Sequence, residues 1–451
     1  MEPSLAPEGA SSGRKRLPHF PSVLCLLFCF VGTHGYGARE AQTQGSELAK
    51  LTGIRIVGSQ RFSEAEIIKG SGLAVGMSLW ARNLQEATNR LLATGVFADV
   101  KYRYYIRGSA MKAEFQVVDA ANFLPCSFEN FVWFSDEELL KELRSRVPLF
   151  TGQVPATGNL AERVAVSLQD LLASRKIAGQ VRFMPLARLG RSDAMLQFEI
   201  EGPVISIYRT EFEGVRQIDV SLLDEASRFL IGKAYGRSFV HDFASRKLAD
   251  VYLKRGYLRV AFGTPRPQPL PEGGATHQVA VTIPVEEGLQ YRLAGIRWAG
   301  NTVFPSGDLA KLLHLLPREP VDAVQLQEDL ESVQELYGTR GYLFARVGPK
   351  PALDDAARAA SYDLEVHEGD LYRMGDLTLI GVDAPTARAL RERSRLRPGM
   401  PFDRSYWKVF LRESVDYLSQ RAPGWKVEYQ QSVVEATKSV DVTVRFRSPG
   451  R

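Results

Sequence analysis

Short apolar runs that end in glycine or asparagine recur along this chain. They lie at residues 54–58, 128–130, 212–214, 296–301 and 377–381, and the end positions Gly58, Asn130, Gly214, Gly300 and Gly381 are separated by 72, 84, 86 and 81 residues. Because glycine and asparagine tolerate positive φ, each run predicts a strand followed by a tight turn. A recurrence at this spacing indicates a tandem repeat.

Two helices are predicted after these runs. Capping-box spacing marks the start of the first helix, at Ser63 and Glu66 in one unit and at Ser135 and Glu138 in the next. The second helix has apolar residues three and four positions apart and is predicted over residues 84–93, 161–174, 243–254, 326–337 and 406–418. A single apolar stripe on a helix predicts that it packs on one face of another element.

A glycine then ends the second helix, and an apolar or aromatic residue opens a strand. Gly95, Gly256, Gly341 and Gly424 occupy this step, while the second unit departs from it at Gly179, where no aromatic follows. Two alternating runs close each unit, as in residues 427–434 and 440–446. Each unit therefore predicts the order β-α-α-β-β. The fold class is α+β, with five tandem repeats, each a small three-stranded sheet with two helices packed on one face.

The predicted boundaries follow from this spacing. They are residues 51–120, 121–202, 203–287, 288–369 and 370–447, called repeats 1 to 5 below. Repeat 2 fits the pattern least well, and residues 152–158 predict a longer loop between its helices. In repeat 3 the proline-rich residues 263–274 predict a stiff, exposed loop between the two final strands.

The N-terminus has the pattern of a secretory signal peptide. Basic residues at 14–16 precede an apolar run at 23–32, and Gly35 and Gly37 suit positions −3 and −1 of a cut after Gly37, with a cut after Gly35 left open. A spanning helix needs ~20 apolar residues, so cleavage is favoured over a retained anchor. The sequence predicts a cleavable signal peptide at residues 1–37 and an exported chain.

Composition narrows the classes of function. The 451 residues carry 57 Lys and Arg against 52 Asp and Glu, and a net charge of +5 gives no argument for nucleic-acid binding. The cysteines Cys25, Cys29 and Cys126 cannot build a disulfide framework, and the first two lie in the leader. The repeats must therefore be held together by apolar cores.

Enzyme chemistry has no support in the sequence. The histidines His241, His277, His314 and His367 have no partner at metal-ligand spacing, and neither a nucleophile elbow nor a complete phosphate loop is present. Cys126 stands among apolar residues and predicts a buried side chain. We expect no enzymatic activity, cofactor or metal.

Several short motifs carry a family resemblance. They are Gly300-Asn301 at the end of a strand, residues 399–403 between two helices, and the Arg-Gly-Tyr steps at 255–257 and 340–342. In this respect the chain resembles the polypeptide-transport-associated (POTRA) repeats of outer-membrane assembly factors such as BamA and TamA, from about Thr52 to Phe446. The resemblance implies a periplasmic protein-binding array that serves outer-membrane protein assembly or secretion.

In that family a membrane β-barrel follows the repeats. Here repeat 5 ends at Phe446 and Arg447, so we expect no barrel in this chain. The expected partners are proteins: unfolded outer-membrane proteins, a separate barrel-bearing assembly factor or other envelope proteins. Peripheral contact with the membrane is among the expected interactions, and binding of nucleic acid is not expected. A structural envelope scaffold, which binds folded partners without handling clients, stays open as the alternative.

The resemblance also implies where clients bind. In the family the second strand of a repeat is a sheet edge that accepts extended segments by strand addition. The candidate edges are residues 100–106, 181–186, 258–262, 344–347 and 427–429. The site residues on them are Val100, Tyr102, Tyr104, Val181, Phe183, Leu258, Val260, Phe262, Phe344, Val347, Val427 and Tyr429. The alternative is that these strands are covered by neighbouring repeats.

A cluster of arginines in repeat 5 is a second candidate. It consists of Arg388, Arg391, Arg393, Arg395 and Arg397. It either docks onto anionic lipid headgroups or an acidic partner, or forms a solvated helix face interleaved with Glu392.

Overall fold

The computed structural model describes residues 48–187, 194–271, 277–420 and 424–448. The predicted signal peptide at residues 1–37 lies outside the described residues. Within the described ranges, no helix has both the length and the apolar character needed to cross a membrane.

The first two repeats have the same element order. Repeat 1 contains β1 (Ala49–Val57), α1 (Glu64–Ser71), β2 (Ser78–Leu79), α2 (Ala81–Ala93), β3 (Phe97–Arg107) and β4 (Ala110–Asp119). Repeat 2 contains β5 (Phe123–Phe128), α3 (Asp136–Arg146), β6 (Gln153–Pro155), α4 (Leu160–Ser174), β7 (Gln180–Ala187) and β8 (Ala194–Glu201). Complete capping boxes start α1 and α3, which confirms the two predicted helix starts.

Repeat 3 has interrupted elements. It contains β9 (Ile205–Glu213), α5 (Ser221–Ser227) with a following 3-10 turn (Arg228–Leu230), and a second helix built from α6 (Arg237–Phe243), a π turn (Ala244–Leu248) and α7 (Ala249–Leu253). The strands β10 (Ala261–Phe262), β11 (Arg266–Pro269) and β12 (His277–Glu286) follow. The proline-rich stretch predicted as an exposed loop is therefore partly a strand, because residues 266–269 pair with β12.

Repeats 4 and 5 are the most regular. Repeat 4 contains β13 (Arg292–Ala299), α8 (Ser306–Ala310), α9 (Ala323–Gly338), β14 (Arg346–Asp354) and β15 (Ala359–His367). Repeat 5 contains β16 (Arg373–Ile380), α10 (Ala384–Arg393), α11 (Tyr406–Ser419), β17 (Lys426–Val434) and β18 (Ser439–Arg447). The α+β fold class predicted from the sequence is confirmed.

The last strand of a repeat lies inside its sheet. It pairs in parallel with the first strand and antiparallel with the second, as in the orders β13-β15-β14 and β16-β18-β17. Backbone from between the helices covers the outer side of the first strand. It forms β2 in repeat 1, β6 in repeat 2, and single bridges at Ala234, Pro320 and Pro401 in the later repeats. The three-stranded prediction is therefore wrong for repeats 1 and 2, and also for repeat 3, where β9, β10 and β11 all pair with β12. Residues 153–155, predicted as loop, are β6.

Glycines end four of the first strands for a steric reason. Gly58, Gly214, Gly300 and Gly381 all have positive φ, and an added Cβ would stand 2.0–2.3 Å from a carbonyl oxygen of the repeat's last strand. The predicted tight turns are confirmed at these positions. Asn130 differs: its φ is not positive, and its side-chain amide exchanges hydrogen bonds of 2.8 and 2.9 Å with the backbone of Ile200.

The hydrophobic cores do not divide evenly among the repeats. Repeats 1 and 2 share one continuous core, whereas repeats 3, 4 and 5 each have a core of their own. In repeat 4 the predicted stripe on α9 is confirmed, since Leu326, Leu330 and Val333 are buried against the sheet.

Candidate functional site: the edge strands

In the described sheets, the strand that follows the helices lies at an edge. β3, β7, β14 and β17 each pair with a single neighbour, and β10 and β11 pair only with β12. The opposite edge is covered by the segment between the helices. Each sheet therefore presents one open edge, formed by the strand that the family resemblance implies.

The predicted site residues do not all lie in these strands. Val100, Tyr102 and Tyr104 are in β3, Val181 and Phe183 in β7, Phe262 in the two-residue β10, Val347 in β14, and Val427 and Tyr429 in β17. Leu258, Val260 and Phe344 are wrongly placed, because they precede the edge strands. The reason is a turn after the helix-ending glycine, in which Val260 N–H donates to Tyr257 O and Ala345 N–H donates to Tyr342 O.

The edge of repeat 1 keeps a complete set of backbone donors. β3 and β4 join through a two-residue turn, so Arg107 and Ala110 form a hydrogen-bonded pair and alternate residues of β3 face the other way. The N–H and C=O groups of Tyr102, Tyr104 and Ile106 therefore point to the open edge. β3 contains no proline over its 11 residues.

The edges of repeats 3 and 4 have lost those donors. In β11, Leu270 N–H donates to Gln278 O, and the register then turns the nitrogens of Pro267 and Pro269 outward. In β14 the ladder runs unbroken from Arg346 to Asp354, so its prolines Pro349 and Pro351 must occupy outward positions. A proline nitrogen carries no hydrogen, and therefore these edges offer carbonyl groups without the alternating donors that strand addition requires.

The edge of repeat 2 is partly occupied by its own helix. Val181 N–H donates to the Gln169 side-chain oxygen at 2.9 Å, and the Gln169 amide donates to Gly179 O at 3.0 Å. Further along β7, the hydrogen-bond ladder with β8 continues unbroken past Pro185. The nitrogen of Pro185 must therefore face the open edge. β17 of repeat 5 has no proline, so among the described edge strands longer than two residues, β3 and β17 keep their outward donors intact.

The outer face of repeat 1, the sheet face away from the helices, is strongly basic. Its cations are Lys50, Arg55, Lys101, Arg103, Arg107 and Lys112, all exposed and placed on this face by the strand register. Lys101 pairs with Asp99 at 3.0 Å and Arg103 with Glu114 at 2.7 Å. Within the described residues the other four cations have no ion pair.

Next to the same edge, β3 presents aromatic side chains toward the helix side of the sheet. The rings of Tyr102 and Tyr104 stack with centroids 6.4 Å apart, and both are only partly buried against the core. Ile106 continues this row and is 38% exposed. The edge of β3 therefore lies between an apolar row on one side and a basic face on the other.

A glutamate fixes the turn that follows the first strand in two repeats; it is half-buried in repeat 4 and buried in repeat 3. Glu368 accepts hydrogen bonds from Thr302, from Val303 N–H at 2.8 Å and from the Tyr337 hydroxyl at 3.0 Å. Burial alone would raise the pKa of Glu368, but these hydrogen bonds together hold that pKa below its usual value. Glu287 makes the equivalent bonds in repeat 3, to two backbone N–H groups and the Tyr252 hydroxyl.

The structure divides the arginine cluster of repeat 5. Arg391 donates to Leu377 O on one side of α10, whereas Arg393 stacks over the Tyr417 ring, 4.2 Å from its centroid, on the other. Arg395 approaches Glu413 at 4.0 Å. Arg388 and Arg397 are exposed. The five arginines do not form one patch, and their docking role stays a prediction.

A cavity of about 510 Å³ lies where repeats 2 and 3 meet. In its wall Arg237 pairs with Asp136 at 2.7 Å, and Glu129 accepts hydrogen bonds from the backbone N–H and the hydroxyl of Ser238. Burial raises the pKa of the Cys126 thiol in its wall to about 12, which makes that thiol a poor nucleophile. Among described residues, no cluster of three potential metal ligands occurs.

The sequence of the fourth repeat matches a known protein family. A family profile described as POTRA, surface antigen variable number repeat, matches residues 291–369. The fourth repeat is therefore similar to the POTRA family. The POTRA match coincides with β13 to β15, and the other sheets repeat the same strand order. The resemblance predicted from the sequence is confirmed.

Two curated relatives of this chain are named as assembly factors. The chain is 21% identical over 264 residues to an outer membrane protein assembly factor of Treponema pallidum, covering 56% of this chain and 31% of the relative. It is 24% identical over 216 residues to the outer membrane protein assembly factor BamA of Neisseria meningitidis, covering 45% and 26%. The chain thus spans less than a third of each relative.

Among solved structures, the crystal structure of POTRA domains 3–5 of Haemophilus influenzae BamA is similar to this chain. The sequence identity is 22% and the TM-score is 0.41, with 54% of this chain and 96% of that chain covered.

Proposed function

We propose that this chain is a periplasmic POTRA-repeat protein that assists outer-membrane protein assembly or secretion. It captures extended client segments along its open sheet edges and docks to assembly partners, without enzymatic activity. The observation that carries the proposal is the edge position of β3 and β17 with their outward donors intact. The names of the relatives support the setting.

Backbone hydrogen bonding suits a carrier of many clients. An added strand is held by main-chain groups, which every client possesses, while side chains beside the edge adjust affinity. Unfolded outer-membrane proteins supply long extended segments with alternating side chains. An edge with regular donors and acceptors therefore binds them without demanding one sequence.

The direct test is whether the purified chain suppresses aggregation of a urea-unfolded outer-membrane protein on dilution. We expect suppression at near-stoichiometric ratios and cross-linking of the client to residues of β3 or β17. Bovine serum albumin at the same mass concentration is the control for crowding. Client aggregation that proceeds unchanged would contradict the proposal.

A structural scaffold is the second candidate, and the junctions between repeats favour it. Tyr291 N–H donates to Gly256 O and Tyr372 N–H donates to Gly341 O, each at 2.8 Å, so repeats 3, 4 and 5 connect through the same backbone contact. Such junctions suit a spacer that holds folded partners at fixed positions. Pull-down of folded envelope proteins together with no effect on client aggregation would favour the scaffold.

A further inference from the structure

The five edges differ in chemistry, and the differences select one of them. Building on the proposed function, we infer that β3 is a selective receptor for an extended segment whose acidic and apolar side chains alternate. Three observations carry this inference: the outward backbone donors of β3, the apolar row on one side of its edge, and the unpaired cations on the other.

Backbone chemistry first removes three edges. β11 and β14 each lack two outward N–H groups at prolines, and β7 lacks one while Gln169 occupies another. A strand added there would leave its own carbonyl groups without donors, and each such group costs about 1–3 kcal/mol if it is buried. β3 and β17 remain as edges along which a segment can bond continuously.

Side chains then define what fits β3. Because side chains alternate along a strand, every second residue of an added segment lies beside Tyr102, Tyr104 and Ile106. The intervening residues lie on the outer face of repeat 1, beside Lys101, Arg103 and Arg107. The first set favours apolar side chains, and the second favours carboxylates.

The excess charge of the outer face strengthens the preference for acid. Six cations face two acids, and the unpaired Arg55 and Lys112 lie on the next strands of the sheet. Strands are about 4.8 Å apart, so an added segment lies about 10 Å from the strand of Lys112 and about 14 Å from that of Arg55, and these two cations act on it mainly at low salt. A second copy of β3 would set basic residues against basic residues, which disfavours a homodimer through this edge.

β17 is the internal comparison. It has the donors, but Glu428 lies on the sheet face that an acidic segment would share, where it pairs with Arg447 at 3.1 Å. A segment with alternating carboxylates therefore meets a like charge at β17, whereas the outer positions of β3 from Lys101 to Arg107 carry three cations and the exposed Tyr105. The two open edges are expected to differ in the clients that they accept.

The test uses the full chain and two eight-residue peptides, one alternating glutamate with valine and one alternating lysine with valine. We expect the acidic peptide to slow hydrogen exchange at Tyr102, Tyr104 and Ile106, and to bind about tenfold more tightly than the basic peptide at low salt. Equal binding of the two peptides, or protection confined to β17 or to loops, would overturn the inference.

Point variants distinguish the contribution of the backbone N–H donor from that of the side chain. Tyr104→Pro removes one outward donor and should abolish protection along β3, whereas Tyr104→Val keeps the donor and should retain it. If Tyr104→Pro does not fold, Ile106→Pro against Ile106→Val makes the same comparison near the strand end. Equal binding by the proline and valine variants of a folded pair would refute strand addition at β3.

The charge test pairs Arg55→Gln/Lys112→Gln with Arg297→Gln, which removes a cation of repeat 4 that is already paired with Asp363. The double variant should lose several-fold affinity for the acidic peptide, and the single control should lose none. An unaffected double variant would remove the charge selectivity. Dimerisation of the chain that Tyr104→Pro abolishes would show a second copy on β3 and would also overturn the inference.

These outcomes are distinct from those of the proposed function. If the chain suppresses client aggregation while exchange protection appears only at β17, the proposed function stands and the β3 inference fails. If the acidic peptide binds β3 while unfolded outer-membrane proteins do not bind at all, the inference stands and the proposed function fails.

Discussion

Repeats 1 and 4 arrange their first, second and last strands in the same order, but the open edges of their sheets differ in chemistry. Both place the second strand at the edge, and both end the first strand at a glycine whose Cβ would strike the last strand. The outward positions of β3 carry N–H groups. Two of the outward positions of β14 are Pro349 and Pro351, whose nitrogens carry no hydrogen. The fold therefore supplies an edge in every repeat, and a few side chains decide whether that edge can bind.

The outer faces of the two sheets differ in the same way. In repeat 4 two of the cations on this face meet acids: Arg297 makes a bidentate pair with Asp363 at 2.7 and 2.9 Å, and Lys350 pairs with Glu365 at 2.7 Å. In repeat 1 the described cations outnumber the acids, and four of them are unpaired. A balanced face is suited to solvent, and an unbalanced face is suited to a charged partner.

The largest expected effect tests the scaffold that the two repeats share. Gly58→Ala and Gly300→Ala each force an L side chain into positive φ and against a carbonyl oxygen, so each should cost about 2–4 kcal/mol of local unfolding free energy. Hydrogen exchange of the repeat's own sheet measures this. Gly307→Ala is the control, because nothing lies within 4 Å of an added Cβ there. Losses as small as in the control would mean that the turn does not need glycine.

The next largest effect is expected from variants that give the edge of repeat 4 the N–H donors that the edge of repeat 1 has. Pro349→Val/Pro351→Val restores two outward N–H groups on β14 and should let repeat 4 add a strand, with about tenfold gain in binding of an uncharged threonine-valine peptide. Isothermal titration measures the gain. The matched variant Gly348→Val/Ala352→Val adds two valines at inward-bonding positions and should bind no better than the unaltered chain. Equal binding by both variants would show that prolines do not close the edge.

A smaller effect is pH-dependent and specific to repeat 4. Since its hydrogen bonds hold the folded pKa of Glu368 below the usual pKa of a glutamate, the carboxylate stabilises the fold fully at any pH above that usual value. This contribution is lost as the pH falls through the folded pKa, because Glu368 is then protonated in both states. Melting curves should show that Glu368→Gln is less stable than the unaltered chain at pH 7, with the difference shrinking below pH 4. A difference that does not change with pH would contradict the assignment.

The smallest effect compares one paired cation with one unpaired cation. Arg297→Gln breaks an exposed ion pair and should lower stability slightly, whereas Arg55→Gln breaks none and should leave stability unchanged. Thermal melts at low and high salt measure both, and the Arg297 effect should shrink in high salt. A larger loss for Arg55→Gln would show a partner for that side chain and would weaken the case for a free basic face.

The sequence reveals the parts of this architecture that are local. Gly300 and Gly381 predict turns because the tolerance of positive φ is a property of a single residue. Ser63 and Glu66 predict a helix start from a pattern only four residues long. The α+β fold follows from such signals, whereas the edge position of the second strand is implied only by the family resemblance.

Features that depend on distant pairing are not visible in the same way. Residues 266–269 read as a proline-rich loop because their partner β12 begins eight residues beyond them, and Phe344 lies in a turn set by the glycine before it. The prolines of β11 and β14 are plain in the sequence. Their meaning is not, because only the register shows that their nitrogens face outward.

The most direct test of the central claim is hydrogen exchange of the full chain with and without a stoichiometric, urea-unfolded outer-membrane protein. The account predicts that the client slows exchange at Tyr102, Tyr104 and Ile106 of β3 and leaves β11 and β14 unchanged. Protection of β14 equal to that of β3, or no protection of any edge strand in a complex that has formed, would contradict it.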